Sequence, residues 1–437
     1  MTFINSLVII GLIFFIVYIF NKCKLIFPII IPFVLNVLIN VISCAYIEEG
    51  IYVVDINTTS YMTGSTIRLA ALNFVFLLTL VFLYKKNERI ITRYSFQNVN
   101  EDKIKFVLWC GSFFVAYLLL DILISGSILT NPSITRFNYY SQYSSLPVIS
   151  IFSSLRYAIS CVCGLAFVSS GKKKYKFHAI LNLISLIMSW YFVGNQFTGI
   201  LYTIIYFAMP ILVILLNNKT NIVNFKNIFL VVGAFIISLI PKLSYFQNHG
   251  VYGLNGTIYN SAFALLMYRA FGLQSALWWE IDRQVWGDKF NDIKQIENEV
   301  LSLFSSTAKE KSGVYYLMEK AMPYSEYRRY IDGGGTLCAG HPGIEICTVG
   351  YLGAAILMII EAVFFFVLIK MLCKSIIKNN YLDCLVITSL LYETMKIFTV
   401  GGIFWIGNTI PVICILYLLV NRVFKIRIRF RNFKVKL

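Results

Sequence analysis

FINSLVIIGLIFFIVYIF, residues Phe3–Phe20, runs without a charge and gives way to Lys22 and Lys24. At 1.5 Å per residue, a helix of that length covers about 27 Å, close to the roughly 30 Å hydrocarbon layer of a bilayer. Inside that layer every backbone N–H and C=O must be bonded within the segment, so the stretch reads as a transmembrane helix. No small-residue cleavage site follows it and further apolar runs come after, so it is expected to be a retained span rather than a secretory signal.

Eleven stretches qualify in the same way, near residues 3–20, 25–46, 68–84, 104–124, 149–169, 178–194, 198–216, 228–243, 348–372, 382–400 and 402–421. The chain of 437 residues is 58% hydrophobic and 14% charged, with a mean hydropathy of +0.73. Soluble domains carry about 25% charge. The expectation is an all-α, polytopic integral membrane protein, a single transmembrane domain over residues 1–437. Lys and Arg cluster at Lys22/Lys24, Lys85–Lys105, Lys172–Lys176, Lys219/Lys226, Lys370–Lys378 and the tail from Arg422. With eleven spans all six clusters fall on one side, and they hold roughly two thirds of the basic residues, so that side is cytoplasmic and the N-terminus lies outside. The net charge of +17 then follows from topology and attraction to anionic lipid, and nucleic acid is not an expected partner.

Three outer connections are longer than turns: Ile47–Ile67, Gly126–Pro147 and a long loop over 244–347 between the eighth and ninth spans, with short helices expected within it. The cysteines are scattered, and most lie in or beside spans as small apolar fillers. Cys338 and Cys347, at the ends of CAGHPGIEIC, are open to a disulfide or to remaining free. Three histidines (His178, His249 and His341) make a multi-histidine metal site improbable, and no metal is expected.

The long loop holds RAFGLQSALWWEIDRQVWGDK, Arg269–Lys289, with three of the six tryptophans. Trp279, Asp282, Arg283 and Trp286 are spaced i, i+3, i+4 and i+7, so they share one face of a helix. An indole face suits the C–H face of a sugar, with acids and guanidiniums on its hydroxyls. Trp278, Trp279, Glu280, Asp282, Arg283 and Trp286 are therefore candidate saccharide contacts. The competing reading is an aromatic belt at headgroup level. Val300, Leu301, Leu303 and Phe304 form an apolar stripe that suits the membrane surface or the bundle.

Arginine in outer loops runs against the topology bias, and a guanidinium binds phosphate bidentately. Arg136, Arg156, Arg269 and Arg329 are candidates for that role, with surface pairing to Glu326 and Asp332 the alternative for Arg328 and Arg329. Arg156 lies inside an apolar stretch, where a charge is costly and functional by default. Its bland alternative is a pair with Asp121 or Glu361. Glu393 and Lys396, at i and i+3, suit a self-satisfied pair, and Glu361, alone in EAVFFF, needs a partner. In GGGTLCAGHPGIE, Gly333–Glu345, either His341 or Glu345 could take a proton from a hydroxyl. A docking loop is the alternative there, and Pro342–Gly343 argues against a regular helix between them.

TRFNYYSQY (Thr135–Tyr143), YFVGNQFTGILYTIIYFAMP (Tyr191–Pro210) and RAFGLQSALWWEID (Arg269–Asp282), with the late outer loop, resemble the O-antigen polymerase (Wzy) family. Arg329 to Gly340 also matches the family's spacing of an arginine, ten residues and a glycine. The resemblance implies a GT-C-like membrane fold in the bacterial inner membrane, with residues 244–347 periplasmic and the C-terminus cytoplasmic. It implies a metal-independent glycosyltransferase that needs no cofactor. A growing glycan on undecaprenyl pyrophosphate is moved onto a lipid-linked repeat unit, and a chain-length regulator protein is a further expected partner. Arg136, Arg156, Arg269 and Arg329 would hold pyrophosphate, and Trp278, Trp279, Arg283 and Trp286 sugar. Glu280, Asp282, His341 and Glu345 compete for the base. Three other readings stand beside this one: an O-antigen ligase, a lipid-linked oligosaccharide flippase, and a non-enzymatic scaffold that binds partners through the long loop.

Overall fold

The structure is a computed structural model that describes residues 3–92, 100–131, 134, 138–195, 197–218, 243, 261–288, 290–333, 335–338 and 340–434. Helices α1 (Phe3–Lys22) and α2 (Phe27–Ile47) lead to a hairpin of two-residue strands, Tyr52–Val53 and Thr58–Thr59. Then come α3 (Ser65–Ile91), α4 (Glu101–Ser125), α5 (Ile149–Ser154), α6 (Arg156–Ser169), α7 (Lys173–Phe192) and α8 (Thr198–Asn217). Six short helices follow: α9 (Ala262–Met267), α10 (Ala276–Gly287), α11 (Gln295–Leu301), α12 (Ser306–Lys309), α13 (Gly313–Ala321) and α14 (Tyr324–Asp332). The chain closes with α15 (Gly343–Ile377), α16 (Tyr381–Thr399) and α17 (Thr409–Lys434).

The protein is an all-α membrane protein. Among the described residues, six helices (α1, α2, α3, α4, α8 and α15) are long and apolar enough to cross a bilayer. Ten of the eleven apolar stretches coincide with helical segments, and the one near 228–243 lies outside the described residues apart from Leu243. Apolar residues on α1 point in all directions, with Phe3 and Phe14 exposed, the signature of a helix whose solvent is lipid. Ile293, Val300, Leu301 and Phe304 of the long loop are exposed as well.

Three stretches depart from a single straight span. The run 149–169 breaks between α5 and α6, where the hydroxyls of Ser153 and Ser154 take the carbonyls of Ser150 and Ile151; such bonds compete with the helical ladder. The last stretch begins as a tight turn over Ile403–Gly407 before α17. The third break is in α15 at Gly350, with φ 69° and ψ 178°, a conformation essentially reserved for glycine. The half-helix 343–349 therefore changes direction against the rest of α15.

The core is knit by aromatic and small residues. Phe33 of α2, Phe76 of α3, Phe365 of α15 and Phe398 of α16 pack ring to ring, with centroids 4.5 to 5.9 Å apart. Buried Glu48, at the end of α2, accepts from Asn5 and from Thr63, Ser65 and Thr66, so it ties α1 to the start of α3. Burial pushes its carboxyl up, but those hydrogen bonds outweigh burial and hold it below the ordinary value. In the long loop, Glu299 accepts from the backbone N–H groups of Gly313 and Ile403 and from Gln295. Burial dominates there and raises its carboxyl.

Where α6 meets α8, Ser160 Oγ donates to the Thr203 carbonyl at 2.7 Å, and Gly164 faces Phe207. A Cβ on Gly164 would lie 2.0 Å from the Phe207 carbonyl oxygen. Small residues four apart let two membrane helices approach closely. Gly164→Ala is expected to lower stability in detergent by about 1–3 kcal/mol or more, the range for overpacking. Gly11→Ala, where an added Cβ meets nothing within 4 Å, should leave the thermal midpoint unchanged. Equal midpoints for the two variants would contradict this packing.

Candidate functional site

The tryptophan-rich stretch folds as the expected helix, α10, but most of its chemistry points into the protein. Trp278 and Trp279 are fully buried. Their indole N–H groups donate to the carbonyls of Ser65 and Tyr61, each at 3.2 Å. As placed, these two rings are packing groups with no open face for a sugar, since hydrogen-bonded burial is where an indole is most stable. Asp282 is also fully buried. Arg68 of α3 grips it through Nε at 2.9 Å, and Tyr351 donates to it at 2.8 Å. Ser65 Oγ adds a further bond. Glu280 holds Arg283 through Nε at 2.9 Å and Nη2 at 2.6 Å, and accepts from Gln284. Trp286 is 61% exposed, with the Arg68 guanidinium over its ring at 4.5 Å. It is the member of the cluster that offers a face to solvent.

The arginines divide. Arg136 lies outside the described residues. Arg329 pairs with Glu326 at 2.6 Å and Arg328 with Asp332 at 3.0 Å; such surface pairs contribute little. Arg269 is half-buried in the turn Tyr268–Gly272, and its charge acts on the buried Tyr330 hydroxyl.

Arg156 is different. It begins α6, is 1% exposed, and among the described residues none of its contacts is a carboxylate. Asp121, a proposed partner, is instead satisfied by Tyr139, Ser144 and the backbone N–H groups of Ser145 and Leu146. The guanidinium donates to Tyr140 and lies 4.2 Å above the Trp190 ring. Arg156 Nε and Trp190 Nε1 are both buried donors without an acceptor among the described residues. Unpaired buried donors cost about 1–3 kcal/mol each, so an acceptor belongs there. Gly199 lets α8 close on this site, because a Cβ there would come within 2.8 Å of the Trp190 ring.

An aromatic row leads away from that point. Tyr157 stacks on Trp190 at 5.3 Å and meets Tyr392 of α16 at 4.6 Å. Lys396 lies 4.9 Å from the Tyr392 ring, bonded to Glu393 at 2.7 Å as a self-contained pair. Trp405 then sits between Lys396 and Lys309, 5.0 and 5.6 Å from them. Burial, and then the Lys396 charge, lower the Lys309 ammonium from its usual value.

His341 and Glu345 are brought together with Glu361, the lone acid of EAVFFF. His341 Nε2 is 2.9 Å from Glu361 and 3.8 Å from Glu345. A straight α15 would hold residues 343 and 361 about 27 Å apart, so this meeting depends on the break at Gly350. The His341 ring also meets Phe398 edge-on at 5.1 Å. Phe398 and Tyr392 are about 9 Å apart along α16, so both buried sites border one stretch of that helix. Cys338 and Cys347 are not joined in a disulfide.

Sequence reading missed Arg68, Trp190 and Tyr140. Arg68 carried one signal, a charge at the mouth of an apolar run.

A family model described as a family of unknown function (DUF6418) matches residues 307–412, a segment that includes His341, Glu345, Glu361, Glu393 and Lys396. No curated protein and no solved structure matches the chain.

Asp282→Ala should destabilise the protein by about 1–3 kcal/mol, because it removes the buried acceptor that Arg68, Ser65 and Tyr351 share. Thermal unfolding in detergent measures this. A variant as stable as the wild type that nevertheless loses function would instead make Asp282 a reacting group.

Proposed function

We propose that the chain is a bacterial inner-membrane glycosyltransferase that polymerises a surface polysaccharide from undecaprenyl-pyrophosphate-linked repeat units. The observation that carries this reading is Arg156. It is a buried guanidinium with no carboxylate partner among the described residues, stacked on Trp190, and its Nε and the indole N–H have no acceptor among them. An oxyanion of a lipid pyrophosphate satisfies both donors, and Arg156 supplies the charge. In this reading the chain crosses the membrane eleven times, with the N-terminus periplasmic, the C-terminus cytoplasmic and residues 244–347 periplasmic, as the distribution of Lys and Arg suggests.

In the proposed reaction the acceptor sugar hydroxyl attacks the anomeric carbon of the donor glycan. The bond from that carbon to the pyrophosphate oxygen breaks, and the glycosidic C–O bond forms. The pyrophosphate leaves with its charge against Arg156, stabilisation that replaces a general acid. Of the base candidates, Glu280 and Asp282 are committed to Arg283 and Arg68, and His341 shares its Nε2 with Glu361. Glu345 is buried in its own cluster. The proton of the hydroxyl therefore passes to the departing pyrophosphate, a basic oxyanion within reach. Arg269 and Arg136 are assigned to the second phosphate or the acceptor's carrier lipid. Exposed Trp286 and half-buried Arg283 are assigned to the sugar.

Deletion in the native host, with the surface glycan resolved on a gel, tests the reading. A polymerase deletion leaves one repeat unit per lipid core, whereas a bare core would point to a ligase or flippase. Arg156→Ala should cut chain extension by about 10²-fold, the cost of one preorganised donor at a developing charge. Arg156→Lys should restore little, since an ammonium lacks the planar fork. A full glycan ladder from Arg156→Ala would remove the pyrophosphate assignment.

A further inference from the structure

The His341–Glu345–Glu361 cluster is separate from the Arg156 site and unexplained by the proposed reaction. One donor atom from each residue lies within 4.8 Å of the other two. Two donors on one tetrahedral ion, at bonds of about 2.0–2.2 Å, stand roughly 3.3 Å apart. The spacings of 2.9 and 3.8 Å around His341 Nε2 straddle that value, so small side-chain rotations close the set.

A second observation points to a ligand. The Glu345 side chain is 6% exposed and its Oε2 has no hydrogen-bond partner. Its Oε1 meets His341 only beyond hydrogen-bond range, at 3.8 Å. A buried carboxylate in that state is costly unless a cation or a proton compensates it. Among the described residues, the ion pairs of Glu345 and Glu361 are both with His341. One imidazole cannot neutralise two carboxylates.

We infer that His341, Glu345 and Glu361 bind one divalent first-row transition-metal ion, of the Zn²⁺ or Mn²⁺ class. One nitrogen and two carboxylate oxygens suit such ions, and a fourth position stays open for water. The ion fastens the segment 341–349, in which His341 precedes the half-helix and Glu345 lies on it, to the body of α15, which carries Glu361. Gly340 shows how tightly that segment is docked, since a Cβ there would lie 2.1 Å from the Val400 carbonyl oxygen. As ligands, His341 and Glu345 are not available as proton acceptors.

The test uses the full-length protein in detergent, stripped with a chelator and titrated with Zn²⁺ or Mn²⁺ alone. Bound metal is read by elemental analysis and by the shift in thermal midpoint. The expected result is one equivalent bound with a raised midpoint. Glu345→Gln and Glu361→Gln should each weaken binding at least about tenfold. His341→Cys should keep Zn²⁺ but lose Mn²⁺, because a thiolate is a soft ligand that favours zinc. This last variant separates lost coordination from lost folding. No stoichiometric metal on the wild type, with protons then balancing the carboxylates, would overturn the inference. Equal binding by the Glu345→Gln/Glu361→Gln double variant would overturn it too. Neither readout depends on glycan synthesis, so the polymerase reading stands or falls separately.

Discussion

The contact between Arg68 and Asp282 is the constraint on which the arrangement of the long loop depends. A guanidinium at the start of α3 and a carboxylate on α10 are held together with Ser65 and Tyr351, and two indole rings are buried beside them. An ion pair this deep is not in itself a large source of stability, because desolvation offsets much of its attraction. Its consequence is specificity: once α10 is against α3, either partner alone would be a stranded charge. With α10 fixed, Tyr351 is fixed too, immediately after the break at Gly350. The half-helix 343–349 then has one way to turn, and it brings His341 and Glu345 to Glu361.

What the sequence disclosed follows from the range of the forces involved. Apolar runs are local, and they marked nearly all the described membrane helices. The helix in ALWWEIDRQVWG was legible from its spacing. Its partners were not, since Arg68 and Asp282 are 214 residues apart and no periodicity encodes that pairing. Spacing alone also suggested exposed tryptophans, whereas Trp278 and Trp279 face the bundle. Glu361 was legible as a residue in need of a partner. That partner depended on a single glycine with positive φ, which no hydropathy pattern reveals. The short breaks at Leu155 and Gly350 were hidden for the same reason.

Arg156 shows the opposite case, where cost pointed to function before any contact was visible. A charge inside an apolar run must be compensated, and its proposed partner Asp121 turns out to be fully engaged elsewhere. Tyr140 and the Trp190 face stabilise the guanidinium without neutralising it. The neighbouring aromatic row ends at Lys396, which is paired with Glu393, and at Lys309.

The most direct measurement is electron cryo-microscopy of the full-length protein in lipid nanodiscs with undecaprenyl pyrophosphate. The account predicts phosphate density within hydrogen-bond distance of Arg156 Nε and Trp190 Nε1. Phosphate bound elsewhere, with Arg156 still turned to Tyr140 alone, would contradict it.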